Sequence, residues 1–153
     1  MRTASVADVG RLAMLRHRWR HDELGETGLS LEAFTEAFGI WMRSHANSHL
    51  AVVAERGELP IGMGFLAIVD RVPGIEMVPR TCGYLQSVYV TSAERNAGVG
   101  TTLVAALIAE ARRLGLDYLA VHPSEPSVSL YRRLGFAATN GVLELALSST
   151  PRR

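Results

Sequence analysis

One segment constrains this chain more than any other. From Tyr84 to Val121 the sequence reads as strand, glycine-containing turn, helix and strand in close succession. Tyr84, Leu85, Val88, Tyr89 and Val90 all favour extended backbone. Thr91 to Gly100 is turn-rich. Leu103, Leu107, Ile108, Ala111 and Leu114 then line one face of a helix that Gly115 stops. Tyr118 to Val121 is a short buried strand. A series of this kind joins two neighbouring parallel strands by a right-handed crossover.

The preceding half of the chain follows a different pattern. Ser5 and Asp8 have the spacing of a capping box. Val9, Leu12, Ala13 and Trp19 recur at helical spacing, with Arg11, Arg16, Arg18 and Arg20 largely between them, which predicts a helix near residues 6–21. Ser30 suits the N-cap of a second helix carrying Leu31, Phe34, Phe38, Trp41 and Met42. The apolar runs Leu50–Ala54 and Ile61–Val69 flank Arg56-Gly57-Glu58 and predict a hairpin. Residues 70–81 hold prolines, a glycine and charges and read as a loop.

Beyond the crossover, Pro123 to Pro126 is a polar connection, Val128 to Leu134 a short helix closed by Gly135, and Leu143 to Leu147 a last strand. Ser148 to Arg153 reads as a frayed tail. The sum is one α+β domain over residues 1–147, with a mixed sheet. At 153 residues, 48% of them hydrophobic, the chain is long enough for a single sizeable core.

A net charge of +1 gives no electrostatic reason to expect nucleic acid as a partner. Any bound anion must then be held by local geometry. Lysine is absent, so every basic residue in the Lys+Arg count of 16 is arginine, a composition that suggests a GC-rich bacterial genome. The single cysteine, Cys82, cannot form an internal disulfide and reads as a small strand hydrophobe. No apolar run is long enough to span a bilayer, and the N-terminus lacks an apolar export segment. A soluble, cytoplasmic protein without a membrane partner is expected.

The chemistry is concentrated in Val90-Thr91-Ser92-Ala93-Glu94-Arg95-Asn96-Ala97-Gly98-Val99-Gly100-Thr101. Gly98 and Gly100 remove side chains where the backbone must approach something closely. The first amides of the following helix lack intrahelical partners and carry the positive end of its dipole. Arg95 adds a full charge at the mouth of the turn. Such a turn suits a phosphate group, and a tight turn into a packed helix is the plainer alternative. A P-loop is excluded because it needs lysine. A dinucleotide fingerprint needs a third glycine where Leu103 stands.

The pattern Arg95-x-x-Gly98-x-Gly100, preceded by Val88-Tyr89-Val90 and followed by Thr101-Thr102-Leu103, resembles the acyl-CoA loop of the GCN5-related N-acetyltransferases, the GNAT family. Ser129-Leu130-Tyr131-Arg132-Arg133-Leu134-Gly135-Phe136 resembles that family's later Tyr-x-x-x-Gly-Phe helix. The two motifs stand in the expected order. The recognisable region spans about residues 82–147.

The resemblance implies an acyl-CoA N-acyltransferase fold. This has three layers, a mostly antiparallel sheet with a central splayed parallel strand pair, and helices on both faces. It implies acetyl-CoA, or a close acyl-CoA, as co-substrate. Backbone groups around Val88, Tyr89 and Val90 would hold the pantetheine arm. Arg95 and the amides of Asn96, Ala97, Gly98, Val99, Gly100 and Thr101 would hold the pyrophosphate. Ser124 and Ser127 fall where the family often has Asn and Ala near the cofactor.

The resemblance also places the Tyr131 hydroxyl by the CoA sulfur, where a phenol protonated at neutral pH can serve as general acid. Without it, Tyr131 reads as a core aromatic. The oxyanion donor would be a backbone amide near Val88. The general base stays open. Gln86 stands near the position of a glutamate in many relatives and can hold only a water or the acceptor; His122, Glu144 and bulk water are the alternatives.

A small-molecule amine is the expected acceptor, and a protein N-terminus or side chain a weaker alternative. The acidic loop His21 to Glu26 either attracts a cationic amine or is an ordinary solvated turn. A homodimer is compatible with the family. The pairs His17/His21 and His45/His49 have helical metal-ligand spacing but no accompanying His-Glu-x-x-His pattern, so no metal is expected. The other class of function left open is a non-catalytic acyl-CoA-binding or regulatory module of the same fold.

Overall fold

The structure, a computed structural model, describes residues 1–76 and 80–138. Among the described residues the sheet has five strands in the order β1 (Arg2–Thr3), β2 (His49–Arg56), β3 (Leu59–Arg71), β4 (Arg80–Val90) and β5 (Leu119–Val121). The first three pairings are antiparallel and the β4–β5 pairing is parallel. Helices α1 (Val9–His17) and α2 (Leu31–Ser44) cover one face, and α3 (Val99–Arg113) and α4 (Val128–Arg133) cover the other. The three-layer, mixed-sheet architecture is the one the resemblance implies.

Strand periodicity sorts the core into its two halves. Ala51, Val53, Met63, Phe65 and Tyr89 meet Leu12, Ala13, Leu15 and Phe38 on the α1/α2 side. Val52, Ala54, Leu66 and Leu85 meet Leu103, Val104, Leu107 and Tyr131 on the α3/α4 side. Close approach of α3 depends on two glycines of β3. A Cβ at Gly62 would lie 2.9 Å from Leu103 Cδ1, and one at Gly64 would lie 2.8 Å from Leu107 Cδ1.

The hairpin turns at Gly57, with Arg56 paired to Leu59. Ser30 caps α2, its hydroxyl accepting the Ala33 amide at 3.2 Å. Left-handed Gly115 and Gly135 end the last two helices, as the sequence predicts.

Two expectations change, and one strand is unforeseen. The helix expected over 6–21 is three pieces: a 3₁₀ turn (Val6–Asp8), α1, and a π-helical turn (Arg18–Glu23) in which Leu24 N–H donates to Trp19 O. The wider turn breaks the 3.6-residue period that predicted one continuous helix. The loop expected over 70–81 is shorter, because Asp70 pairs with Thr81 and Arg71 with Arg80. Ladder pairing needs no apolar side chain, so polar strand ends escape a reading based on hydrophobicity. Strand β1, two residues long, is too short to show a pattern. The strand expected at Leu143–Leu147, its Glu144, and the tail from Ser148 lie outside the described residues.

Candidate active site

The site begins where two parallel strands part. Pairing between β4 and β5 runs through Gly83↔Leu119 and Tyr84↔Ala120 and ends at Leu85↔Val121. Strand β4 continues to Val90 against β3 alone, and its other edge opens into a gap. At the mouth of that gap β4 carries a bulge. Register with β3 shifts between Met63 and Phe65, and Ser87 is left-handed with φ 51. For a residue bearing a Cβ this conformation costs about 1 kcal/mol or more. A bulge leaves backbone groups outside the ladder and re-aims side chains. Here both Gln86 and Ser87 face the α1/α2 side, while Val88 and Val90 pack on the α3/α4 side.

On the α3/α4 side the turn after β4 leads into α3. Asn96 and Gly98 are left-handed, with φ 63 and 81. No side chain caps α3 at Gly98, so the amides of Val99, Gly100 and Thr101 have no partner among the described residues. A Cβ at Gly98 would meet nothing within 4 Å, whereas one at Gly100 would lie 3.1 Å from Leu130 Cδ1. The turn is therefore open on its outer side and packed on its inner side. An open row of unpartnered amides at a helix N-terminus fits a pyrophosphate.

Tyr131, in α4, closes this side. Its ring is 6% exposed and stands edge-on to Phe136 with centroids 5.4 Å apart. Its hydroxyl makes no hydrogen bond among the described residues. Burial raises the phenol above its ordinary value.

Arg95 is engaged by groups of the protein itself. Its guanidinium donates to Glu23 Oε2 and, at 3.0 Å, to the Val90 carbonyl, and lies 5.8 Å from the centre of the Tyr89 ring. The Tyr89 side chain faces α1, stacked on Trp19 at 5.5 Å, with its hydroxyl donating to Glu23 Oε1 at 2.7 Å. Burial and then that bond push its phenol up to about 12. For Glu23, burial acts upward, but the bonds from Tyr89 and Arg95 outweigh it and hold the carboxyl below its usual value.

Ser127 Oγ donates to the Ser124 carbonyl at 2.8 Å, and the Ser124 hydroxyl donates to Ser127 Oγ at 3.1 Å, so the two serines close their own turn. His122 is exposed at the end of β5, its ring 5.5 Å from that of Tyr84. Glu94 pairs with Arg56 at 2.6 Å.

On the α1/α2 side the bulge opens into a cavity of about 390 Å³. Phe34, Phe38 and Trp41 of α2 and Phe65 of β3 form apolar walls, and Gln86, Ser87 and Arg16 supply polar groups. Arg16 Nη1 donates to Ser87 Oγ at 2.6 Å. Of these, the sequence predicts a site role for Gln86 alone. The aromatic residues were visible only as an apolar helix face, and Ser87 carried no signal because a bulge leaves none in the strand pattern.

The acidic loop offers this cavity little charge. Glu23 is held by Tyr89 and Arg95, Glu26 by Arg20, and Asp22 lies 2.8 Å from His21 Nδ1. Among the described residues no group of three or more His, Cys, Asp or Glu side chains could hold a metal ion, and no helix is long and apolar enough to cross a membrane.

A family model described as the acetyltransferase (GNAT) family matches residues 13–136. The fold is similar to that of a predicted acetyltransferase from Clostridium acetobutylicum solved with acetyl-CoA (23% identity, 95% of this chain and 94% of that one, TM-score 0.79). It is also similar to a GCN5-related N-acetyltransferase from Ralstonia eutropha JMP134 (25%, 96% and 97%, 0.73). A third similar structure is AAC(6')-Iy in complex with the bisubstrate analogue CoA-S-monomethyl-acetylneamine (22%, 96% and 96%, 0.72). Among curated proteins, none matches the sequence. With a mixed sheet splayed at β4 and β5 and a family match over most of its length, the chain belongs to the GNAT acetyltransferase family. It is an acyltransferase.

Proposed function

We propose that this protein transfers an acetyl group from acetyl-CoA directly to the amine of a small molecule. The observation that carries the reading is the parting of β4 from β5 after Leu85 and Val121, with open amides and Tyr131 on one side and the cavity on the other. A cofactor laid along the free edge of β4 would have its phosphates at α3 and its acyl end at the bulge. When bound, acetyl-CoA supplies a thioester carbonyl that an amine can attack.

The chain's own residues divide the remaining work. The amides of Asn96, Ala97, Gly98, Val99, Gly100 and Thr101 hold the pyrophosphate. Backbone groups of Val88 and Val90 hold the pantetheine arm as a neighbouring strand would, and Tyr89 contributes backbone only. An amide of the bulge near Val88 donates to the carbonyl oxygen as negative charge grows there. Tyr131 holds a proton for the departing sulfur, and its raised pKa keeps that proton in place at neutral pH.

Gln86 orients the amine or a water, and with no carboxylate lining the cavity among the described residues, proton removal falls to water, to His122 or to Glu144, which lies outside those residues. Arg95, Ser124 and Ser127 shape the turns beside the cofactor. The size and aromatic walls of the cavity support a small acceptor over an extended protein surface.

Thermal melting with and without acetyl-CoA tests the reading. Ligand at 100 times its Kd adds about 2.7 kcal/mol, a readily visible shift. Absence of a shift at millimolar acetyl-CoA, or an equal one with ATP, would overturn the assignment of the cofactor.

A further inference from the structure

Arg16 is the feature that the catalytic reading leaves unexplained. It projects from α1 into the wall between two cavities, the aromatic one described above and a smaller one lined by His17, Arg20, His21 and Glu26. Its single hydrogen bond among the described residues goes to the neutral Ser87 hydroxyl. No acidic side chain pairs with it among the described residues. The charged groups facing it are Arg20, which repels it, and Glu26, which Arg20 already engages. Burial and the Arg20 charge both weaken its hold on its proton.

A half-buried guanidinium without a counter-ion is costly, and an anion entering the cavity would relieve that cost. Among the described residues nothing bonds Nε or Nη2, so the planar fork can grip a carboxylate at two points.

The position of the cation restricts the ligand further. Arg16 is one hydrogen bond from Ser87, and Ser87 is the bulge residue beside the open edge of β4. An amine attacking an acyl group at that edge therefore lies close to the guanidinium. The anion and the amine of the acceptor must be a short distance apart, and the rest of the molecule meets Phe34, Phe38, Trp41 and Phe65.

Resting on the proposed acetyl transfer at this site, we infer that the acceptor is an α-amino acid with an apolar or aromatic side chain, its carboxylate held by Arg16 and its side chain by the aromatic walls. The ligand volume agrees, since a cavity of about 390 Å³ is at the small end of ligand sites. A polycationic acceptor would be repelled by Arg16.

Calorimetric titration of the CoA-loaded protein with N-acetyl-leucine and with N-acetyl-leucinamide tests this without requiring turnover. The two products differ only in the charged group. Tighter binding of the acid by about 10- to 100-fold is expected, the worth of a charge-assisted pair. An Arg16→Gln variant should bind both alike while keeping the melting shift given by acetyl-CoA. Equal binding of acid and amide to the wild-type protein would overturn the inference, as would failure of the acid to bind at millimolar concentration.

A parallel assay of leucine and phenylalanine against their amides, at matched free-base concentration, separates the two levels. Turnover of the amides as efficiently as the acids overturns the carboxylate reading alone. Selective binding of the acid, with no turnover of any amine, would leave the carboxylate site standing and overturn the transfer.

Discussion

The Tyr89 hydroxyl donates to Glu23 Oε1 at 2.7 Å, and through that bond the π-helical turn after α1 is fastened to the strand that borders the gap. The other oxygen of the same carboxylate receives Arg95, so one side chain joins the N-terminal helix, β4 and the turn before α3. Tyr89→Phe removes one hydrogen bond and preserves the stack on Trp19. It should cost about 1–2 kcal/mol, a Tm loss of roughly 2–8 °C by calorimetry. Glu23→Ala should cost more, because it strands a buried hydroxyl and releases Arg95. Equal melting of the two variants would show that Arg95 gains nothing from Glu23.

Gly98→Val should abolish acetyl-CoA binding in a folded protein. The added Cβ meets no protein atom within 4 Å, so it projects into the space a phosphate would take. The left-handed φ of 81 adds strain of about 1 kcal/mol or more. A modest drop in Tm together with loss of the acetyl-CoA melting shift is the expected pair of results. Unchanged acetyl-CoA affinity would remove the turn from the cofactor site.

How far the sequence could foresee this site follows from periodicity. Gly98, Gly100 and Tyr131 sit in regular elements or at their ends, and their spacing survives in the linear text. The β4–β5 pair was legible for the same reason, because a helix of regular period separates two apolar runs. Ser87, Glu23 and Arg16 were not legible as partners. Each depends on an interruption, a bulge in β4 or a π turn after α1, that shifts the register by a residue and leaves composition unchanged. Arg16 looked like one of several arginines on a solvent face, and the pairing of Tyr89 with Glu23 spans 66 residues of sequence.

Tyr131→Phe should lower kcat by about 100-fold while leaving acetyl-CoA affinity almost unchanged, because the ring stays packed against Phe136. The pH dependence follows from the direction of the shift. The working form of a general acid is protonated, and burial raises this phenol above its ordinary value of about 10. The alkaline limb of the kcat profile assigned to Tyr131 should therefore begin above about pH 10 and vanish in the variant. Stopped assays across pH 7–11 with free-base correction for the amine would decide it. A limb that persists in Tyr131→Phe belongs to another group.

Stability in acid should depend on Asp8. Its carboxylate, 3% exposed, accepts Arg2 Nη1 at 2.8 Å, Arg2 Nη2 at 2.7 Å and the Ser5 amide at 2.8 Å. The hydrogen bonds from Arg2 outweigh burial and, with those from Ser5, hold the carboxyl well below the usual carboxylate range. The folded pKa lies beneath the unfolded one, near 3.9, so the unfolded chain takes up the proton first as pH falls. The contribution is fully present above about pH 4 and is lost progressively below it, as pH falls toward the depressed folded value. Asp8→Asn should lower stability by about 1–3 kcal/mol at pH 7 and narrow the gap to wild type between pH 4 and pH 2. Urea midpoints at pH 7, 4, 3 and 2 measure this difference directly. A gap that stays constant with pH would mean that the Arg2–Asp8 pair contributes shape to the first turn but no net charge stabilisation.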